Sequence, residues 1–508
     1  MASANVFNAA GHRAGAAAPG RPLNTEAASP ALSGLCFGVF LLPVVLCAVG
    51  MAPLAKPAFL GCAVLACLLL VGRRPAGYVS FVLWLVVLTP GLRHFVDWHA
   101  GFSQTNPMML APFCAVLAGL PTCALYILNK GRHAAVCAAM AVIIGAGAWI
   151  SLLSDATQPP LLAAVRWLCP VLFAVYIWAN AAALPEVRAG VVRAMRVALP
   201  AVAAYGLVQF ASILPWDAYY MEMAPITSIG HPAPFQVRVF STMNSPGSLA
   251  AFVATGILLL LPRIRGVEFL TILLAFCALL LTTQRAALAA LSLTILVLAG
   301  ASRSGQVRAG AFKLCVAAAV AVSASVAVPG AGKKLAGVFE SVSQLEQDGS
   351  AQERLAQYAQ LSAYLDARPF GSGLAWATNP NIFEGGKEAT LDSGLIDILV
   401  SFGFAGGLVF LALLGVLLAR GWSVASRSRH ALAMAEFGVV VFGLSQLPFG
   451  GQHTAEAGLL LYLGLGLLLA RAGTAPGVSG APAPAFAGPA GRPPAFRRRA
   501  EAGGTAGA

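Results

Sequence analysis

Residues 267–301 read VEFLTILLAFCALLLTTQRAALAALSLTILVLAGA. Two apolar runs, 267–283 and 285–301, are joined almost without a loop, and Glu268 and Arg285 are the only charged residues in them. Each run is continuous rather than alternating, which suits a membrane helix and not a barrel strand. Back to back they describe a helical hairpin in lipid, where every backbone N–H and C=O must be satisfied within the protein. At the tip, Arg285 sits at or just inside the membrane boundary, so its guanidinium must enter a polar cavity or snorkel outward.

The same pattern fills the rest of the chain. Hydrophobic residues make up 58% of it, charged residues 10%, and the mean hydropathy is +0.79. A soluble domain carries roughly 25% charged residues, so this chain cannot cover a water-facing surface and lipid must be its solvent. At roughly 17–25 residues per helix, about fourteen spans (12–14) are expected. In the first half they lie near 33–52, 57–72, 77–92, 107–128, 134–153, 161–183 and 190–213. In the second half they lie near 247–262, 267–283, 285–301, 312–330, 393–419, 432–447 and 456–471. The expected fold is all-α, one polytopic transmembrane bundle over 31–472. Residues 1–30 and 473–508 are rich in Ala, Gly and Pro and read as disordered, the second with a basic cluster, Arg497 to Arg499, suited to anionic lipid.

The net charge of +13 follows topology rather than nucleic-acid binding, because the basic residues sit mostly in short loops between apolar runs. With both termini in the cytoplasm, alternate loops hold Arg73 and Arg74, Lys130 and Arg132, Arg188, Arg263 and Arg265, Arg303, and Arg420. Lys56 and Arg93 are the exceptions on the opposite side. Two long loops, 214–246 and 330–391, then fall outside. The second contains an amphipathic helix, Gln352 to Ala367, with apolar Leu355, Tyr358, Ala359, Leu361 and Leu365. The ten cysteines lie in or beside apolar runs and form neither a metal-ligand nor a disulfide pattern.

Unusual polar groups gather on that outer side. His231 and Arg238 lie in HPAPFQVRVFSTMNSPGSLA, Arg285 in LLLTTQRAALAAL, and Arg354 at the start of the loop helix. Asp392 opens the span LDSGLIDILVSFGFAGG, His453 and Glu456 lie in QLPFGGQHTAEAG, and Arg166 stands near the outer end of another span. Arginine matches phosphate oxygens bidentately and stays charged at any relevant pH, so arginines converging here suit a lipid-linked diphosphate. An ionised Asp or a neutral His nearby could take a proton from a hydroxyl. Each residue also has a plainer role: snorkelling or a salt bridge for Arg285, solvated loop charges for Arg238 and Arg354, ordinary loop histidines, and a helix N-cap for Asp392. No metal motif stands out on this side, and no Walker A sequence is present.

Four of these pieces resemble the O-antigen ligase and polymerase superfamily of bacterial cell envelopes, over roughly Arg238 to Leu469. RVFSTMNSPGSLAAF resembles its Arg–Val–Phe/Gly–Thr–x–Asn–Pro–Asn segment, and LLLTTQRAALAAL its Leu–Thr–x–Ser–Arg–Gly–Ala segment with Gln284 in place of Ser. ERLAQYAQLSAYLDARPFGSGL resembles the Arg…Trp…Pro–Phe/Leu–Phe–Gly–x–Gly loop helix, with Tyr358 in place of Trp. LDSGLIDILVSFGFAGGLVF resembles His/Asp–Asn–x–Tyr–Leu…Gly–x–x–Gly. The resemblance implies metal-independent transfer of a glycan from undecaprenyl diphosphate to a hydroxyl, on the periplasmic face of the bacterial inner membrane and without a cofactor. It gives donor-diphosphate binding to Arg238, Arg285 and Arg354. Ligases place a catalytic histidine where this chain has Asp392, and polymerases often have Asp there.

The expected function is therefore a polysaccharide polymerase joining lipid-linked repeat units. Its partners would be the undecaprenyl-diphosphate-linked glycan, an acceptor glycan and membrane lipid, with a chain-length regulator and a flippase as further candidates. Asp392, His453 and His231 remain open as the proton acceptor. The alternatives are an O-antigen ligase or protein O-oligosaccharyltransferase and, from another class, a lipid-linked glycan flippase. Against the flippase, the chain shows no internal repeat and few polar residues mid-span, where transport sites usually lie.

Overall fold

A computed structural model describes residues 30–154, 159–224, 227–327, 330, 332, 349–378, 393–428 and 430–470. The expected tails and Asp392 lie outside the described residues. The chain is all-α, and the described residues contain no strand. Ten of their helices are long and apolar enough to cross a membrane, and four shorter apolar helices accompany them.

The first half contains α1 (Pro30–Ala48), α2 (Ala52–Val71) and α3 (Pro75–Ala100). A broken span follows, α4 (Ala111–Leu117) and α5 (Leu120–Leu128), and then α6 (Ala134–Leu152), α7 (Pro160–Ala179) and α8 (Leu184–Ala211). A short helix, α9 (Pro215–Met223), lies in the first long loop. Beyond it come α10 (Pro246–Leu260), α11 (Val267–Leu281), α12 (Arg285–Ala301) and α13 (Gly305–Ala327). The second long loop carries α14 (Gly349–Ala367), and α15 (Gly394–Arg427), α16 (Ala431–Ser445) and α17 (Ala455–Ala470) complete the bundle.

Several helices outrun the apolar runs that mark them. α3 continues past residue 92 to Ala100, and α15 past residue 419 to Arg427. Arg and Ala, present in both extensions, are among the better helix formers and continue a helix beyond the point where mean hydropathy falls. Proline at the first turn fixes many starts, as at Pro75, Pro160 and Pro246, where the missing N–H costs nothing. Large apolar side chains such as Phe37, Val142, Trp149 and Leu296 stay exposed on the flanks, as lipid-facing surfaces require.

One end of the bundle is clasped around α17. Trp178 Nε1 donates to Leu465 O at 3.3 Å, and Arg188 Nη2 donates to Leu467 O at 2.7 Å. The same guanidinium grips Glu436 of α16, with Nη2 at 3.0 Å from Oε2, and Glu436 is buried. These donors satisfy carbonyls near the helix C-terminus. At this end Arg420 Nη1 donates to His133 Nδ1 at 3.1 Å. Burial, with Arg420 and Arg132 adding to it, lowers the His133 pKa from 6.5 to about 4. The ring is therefore neutral beside two cations and accepts through Nδ1.

Removing one partner of a buried ion pair strands the other. Glu436→Ala is expected to destabilise the fold by about 3–5 kcal/mol, read as a lower thermal unfolding midpoint in detergent. The double substitution Arg188→Met, Glu436→Leu is expected to recover most of that loss.

Candidate functional site

The opposite end of the bundle holds the long loops. Helix alternation brings here the C-termini of α3, α8 and α11 and the N-termini of α10, α12, α15 and α17. The segment after α9 turns back on itself at a single antiparallel bridge between Gly230 and Val237. Gly230 has φ +88°, and a Cβ there would meet Gln236 O at 2.5 Å. Arg238 N donates to Ile229 O at 2.9 Å, and Val239 N to Leu281 O at 3.1 Å. Arg238 therefore leaves the chain between two loops: its Nη1 donates to Ser228 O at 3.0 Å and its Nε to Thr282 O at 3.3 Å. Thr282 begins the tip of the α11–α12 hairpin. There Thr282 Oγ1 donates to Leu279 O and accepts from Gln284 N, and Thr283 takes φ +53°. Arg285, half-buried, is the first residue of α12. Arg238 and Arg285 thus belong to one corner of the bundle. Arg354 falls in the second turn of α14 rather than at its start, and its side chain lies outside the described residues.

A second group forms at the head of α15. Ser393 is the N-cap, accepting from Ile396 N, and Tyr358 Oη of α14 lies 2.8 Å from Ser393 Oγ. One turn in is Asp397. Its Oδ1 accepts from Trp376 Nε1 at 2.9 Å and from Ser401 Oγ at 3.3 Å. Its Oδ2 lies 3.3 Å from His453 Nε2, within ion-pair reach but off the line of a good hydrogen bond. His453 is buried under Trp167, ring centroids 4.4 Å apart, while the Asp397 side chain is 23% exposed. The carboxylate therefore has the open face and the imidazole backs it. An anion in the first turn of a helix is also favoured by the aligned backbone dipoles. Sequence reasoning assigned the acid to Asp392 and passed over Asp397, five residues further along. The available signal was a charge inside an apolar run.

The loop Pro369–Trp376 holds this group in place. α15 breaks at Gly403, which has φ 70° and ψ 178°. The break frees the carbonyls of Val400 and Ser401, and the loop supplies donors: Ser372 N at 2.9 Å and Gly373 N at 3.1 Å. Leu374 N donates to Gly147 O of α6 at 3.2 Å, and Ala375 N to Ser151 Oγ at 3.0 Å. The next residue is Trp376, the donor to Asp397. The backbones approach so closely that only glycine fits. A Cβ on Gly371 would sit 2.4 Å from Gly403 N, and one on Gly403 would sit 2.1 Å from Pro369 O.

The remaining candidates are scattered. His231 is exposed on the first long loop, Arg166 is exposed on α7 beside Trp167, and Glu456 is half-buried in the first turn of α17. Of the expected loop helix, Leu361 packs on the cluster of Trp376, Ile396 and Val400, while Leu355 remains exposed.

A further polar network was not anticipated. Lys56 and Arg93, the two basic residues that broke the loop-charge pattern, both reach the buried Asp97, at 2.8 and 3.1 Å. Asn106 Nδ2 donates to the same carboxylate at 2.9 Å. Next to it His94 Nδ1 lies 3.0 Å from Asp217 Oδ1, with both side chains fully buried. His94 and Asp97 are three residues apart, on neighbouring positions of α3. No periodicity announces that α9 will bring Asp217 against them.

A sequence model described as O-Antigen ligase matches residues 270–411. This stretch is similar to an O-antigen ligase domain. It supports an O-antigen ligase/polymerase-like superfamily. No curated protein matches the chain. The matched stretch contains Arg285, α14, the Pro369–Trp376 loop and Asp397. Arg238, His453 and the His94–Asp217 network lie outside it and complete its end of the bundle.

The Gly403 break gives a direct test of this architecture. Gly403→Ala is expected to lower the thermal unfolding midpoint in detergent, since the left-handed strain and the Pro369 clash add. Gly415→Ala in the same helix meets nothing within 4 Å and is expected to leave the midpoint unchanged or raise it.

Proposed function

We propose that this protein is a polymerase of lipid-linked glycan repeat units, acting at the periplasmic face of a bacterial inner membrane. The observation that carries the proposal is one end of the bundle holding two arginines at one corner and an open, buttressed carboxylate at the head of α15. The acceptor sugar hydroxyl attacks the anomeric carbon of the donor. The bond from that carbon to the diphosphate oxygen breaks, and the diphosphate leaves with the electron pair. The hydroxyl proton passes to a carboxylate of the α15 head, Asp392 or Asp397. Direct displacement inverts the anomeric centre. Arg238 and Arg285, with Arg354 from α14, stabilise the charge that develops on the departing diphosphate, fixed cations being most effective where water is excluded. His453 acts as a positioning residue behind Asp397.

A ligase reading, with finished glycan moved to lipid A core or to a protein, uses the same chemistry, and the description of the matched family favours it. The two differ in what a deletion strain accumulates: single lipid-linked repeat units for a polymerase, lipid-linked polymer for a ligase. In the deletion strain, Arg285→Ala and Asp397→Asn, expressed at wild-type levels, are expected to fail to restore long chains on a glycan gel. Normal chain length with either variant would remove that residue from the chemistry, and with both would sink the proposed site.

A further inference from the structure

We infer that the buried His94–Asp217 pair is a positioning device for the segment 238–246 and sets how tightly the donor diphosphate binds. The inference rests on the donor-binding reading of Arg238.

Asp217 is fully buried, and a buried carboxylate is costly unless it is paired and hydrogen-bonded. Here it is both. Oδ1 faces His94, and Oδ2 accepts from Tyr205 Oη and from Gln209 Nε2, each at 2.8 Å. These partners come from α3 and α8, so α9 is pinned to two spans through one side chain.

Two arms lead from Asp217 to the segment. In the first, Gln209, oriented by its bond to Asp217, accepts through Oε1 from Phe240 N at 3.0 Å and Ser241 N at 2.8 Å. Ser241 has φ +53°, a left-handed conformation that a serine holds only under constraint. Its Oγ donates to Val202 O at 2.7 Å. In the second arm His94 bridges to Asn244, Nε2 lying 3.3 Å from Oδ1, while Tyr220 stacks on the imidazole at 3.9 Å and donates its Oη to Asn244 O. Residues 240–244 are therefore held at both ends by groups that meet at one carboxylate. This is the stretch that connects Arg238 to α10, so its conformation, together with the backbone bonds of Arg238 and Val239, sets where Arg238 leaves the chain.

A core of apolar side chains would pack this corner at lower desolvation cost, but it would not direct two backbone N–H groups and one amide. Direction is what the polar pair supplies. It acts through the segment and not on substrate, since both side chains are closed to solvent.

The test uses full-length protein in detergent, with undecaprenyl diphosphate as the probe and the binding midpoint as the readout. Wild type is expected to bind. Asp217→Asn and His94→Gln are each expected to raise the midpoint about tenfold, the size of a lost hydrogen bond to a charged group. Glu436→Gln, at the far end of the bundle, is the control and is expected to keep the wild-type midpoint. A merely structural role would lower the amplitude of binding, through a smaller folded fraction, and leave the midpoint in place. If Asp217→Asn does not fold, His94→Gln decides alone. A wild-type midpoint in the folded variants overturns the inference while leaving the donor reading intact. Failure of the wild-type protein to bind the probe removes both.

Discussion

At membrane depth a carbonyl without a donor is expensive, and the break at Gly403 creates two of them. Ser372 and Gly373 close both from outside the helix. Much of the candidate site depends on that exchange. The loop that enters the break also crosses to α6 through Gly147 and Ser151 and delivers Trp376 to Asp397. Irregular backbone is tolerated in a membrane protein only where protein or a water-lined cavity covers it. The glycines at 371, 373 and 403 allow the two backbones to approach closely enough for those bonds.

The two ends of the bundle are built differently. At the α17 clasp, charged side chains close helix ends and one another. At the long-loop end, polar groups are held deep and the backbone is held off its preferred angles. Of the described non-glycine residues with positive φ, Phe235, Ser241, Thr283 and Ala455 lie at this end and Lys130 at the other. Each of the first four flanks a segment singled out here: Arg238, Arg285 or His453. Strain of this kind persists only where surrounding structure over-determines it, and Gln209, Thr282 and the turn before α17 supply that support.

Much of the site was legible residue by residue and illegible as an arrangement. Arg238 and Arg285 stood out because a charge in or beside an apolar run needs a reason, and the structure brings both to one corner. His453 stood out as one of the polar groups on the outer side, but its burial behind Asp397 could not be read from QLPFGGQHTAEAG. Asp397 was overlooked because the resemblance drew attention to Asp392, which lies outside the described residues. Lys56 and Arg93 were visible as exceptions to loop charge, and their partner, Asp97, was not identified. The loop glycines were visible as a motif without a visible cause.

By itself the sequence determined that the chain lives in lipid, that it is helical, and how its helices alternate. These properties follow from local quantities: the length of an apolar run, its lack of alternation, and the charge of the loop between runs. Tertiary structure alone decided which polar groups meet. Asp217 reaches His94 from 123 residues away, and Arg188 reaches Glu436 across 248. No periodicity encodes such pairs, because they depend on which helix faces which and at what depth. The 267–301 hairpin joins the two levels. Its runs fixed two helices in advance, while the meeting of its tip with Arg238, through Thr282 O, waited on the tertiary structure.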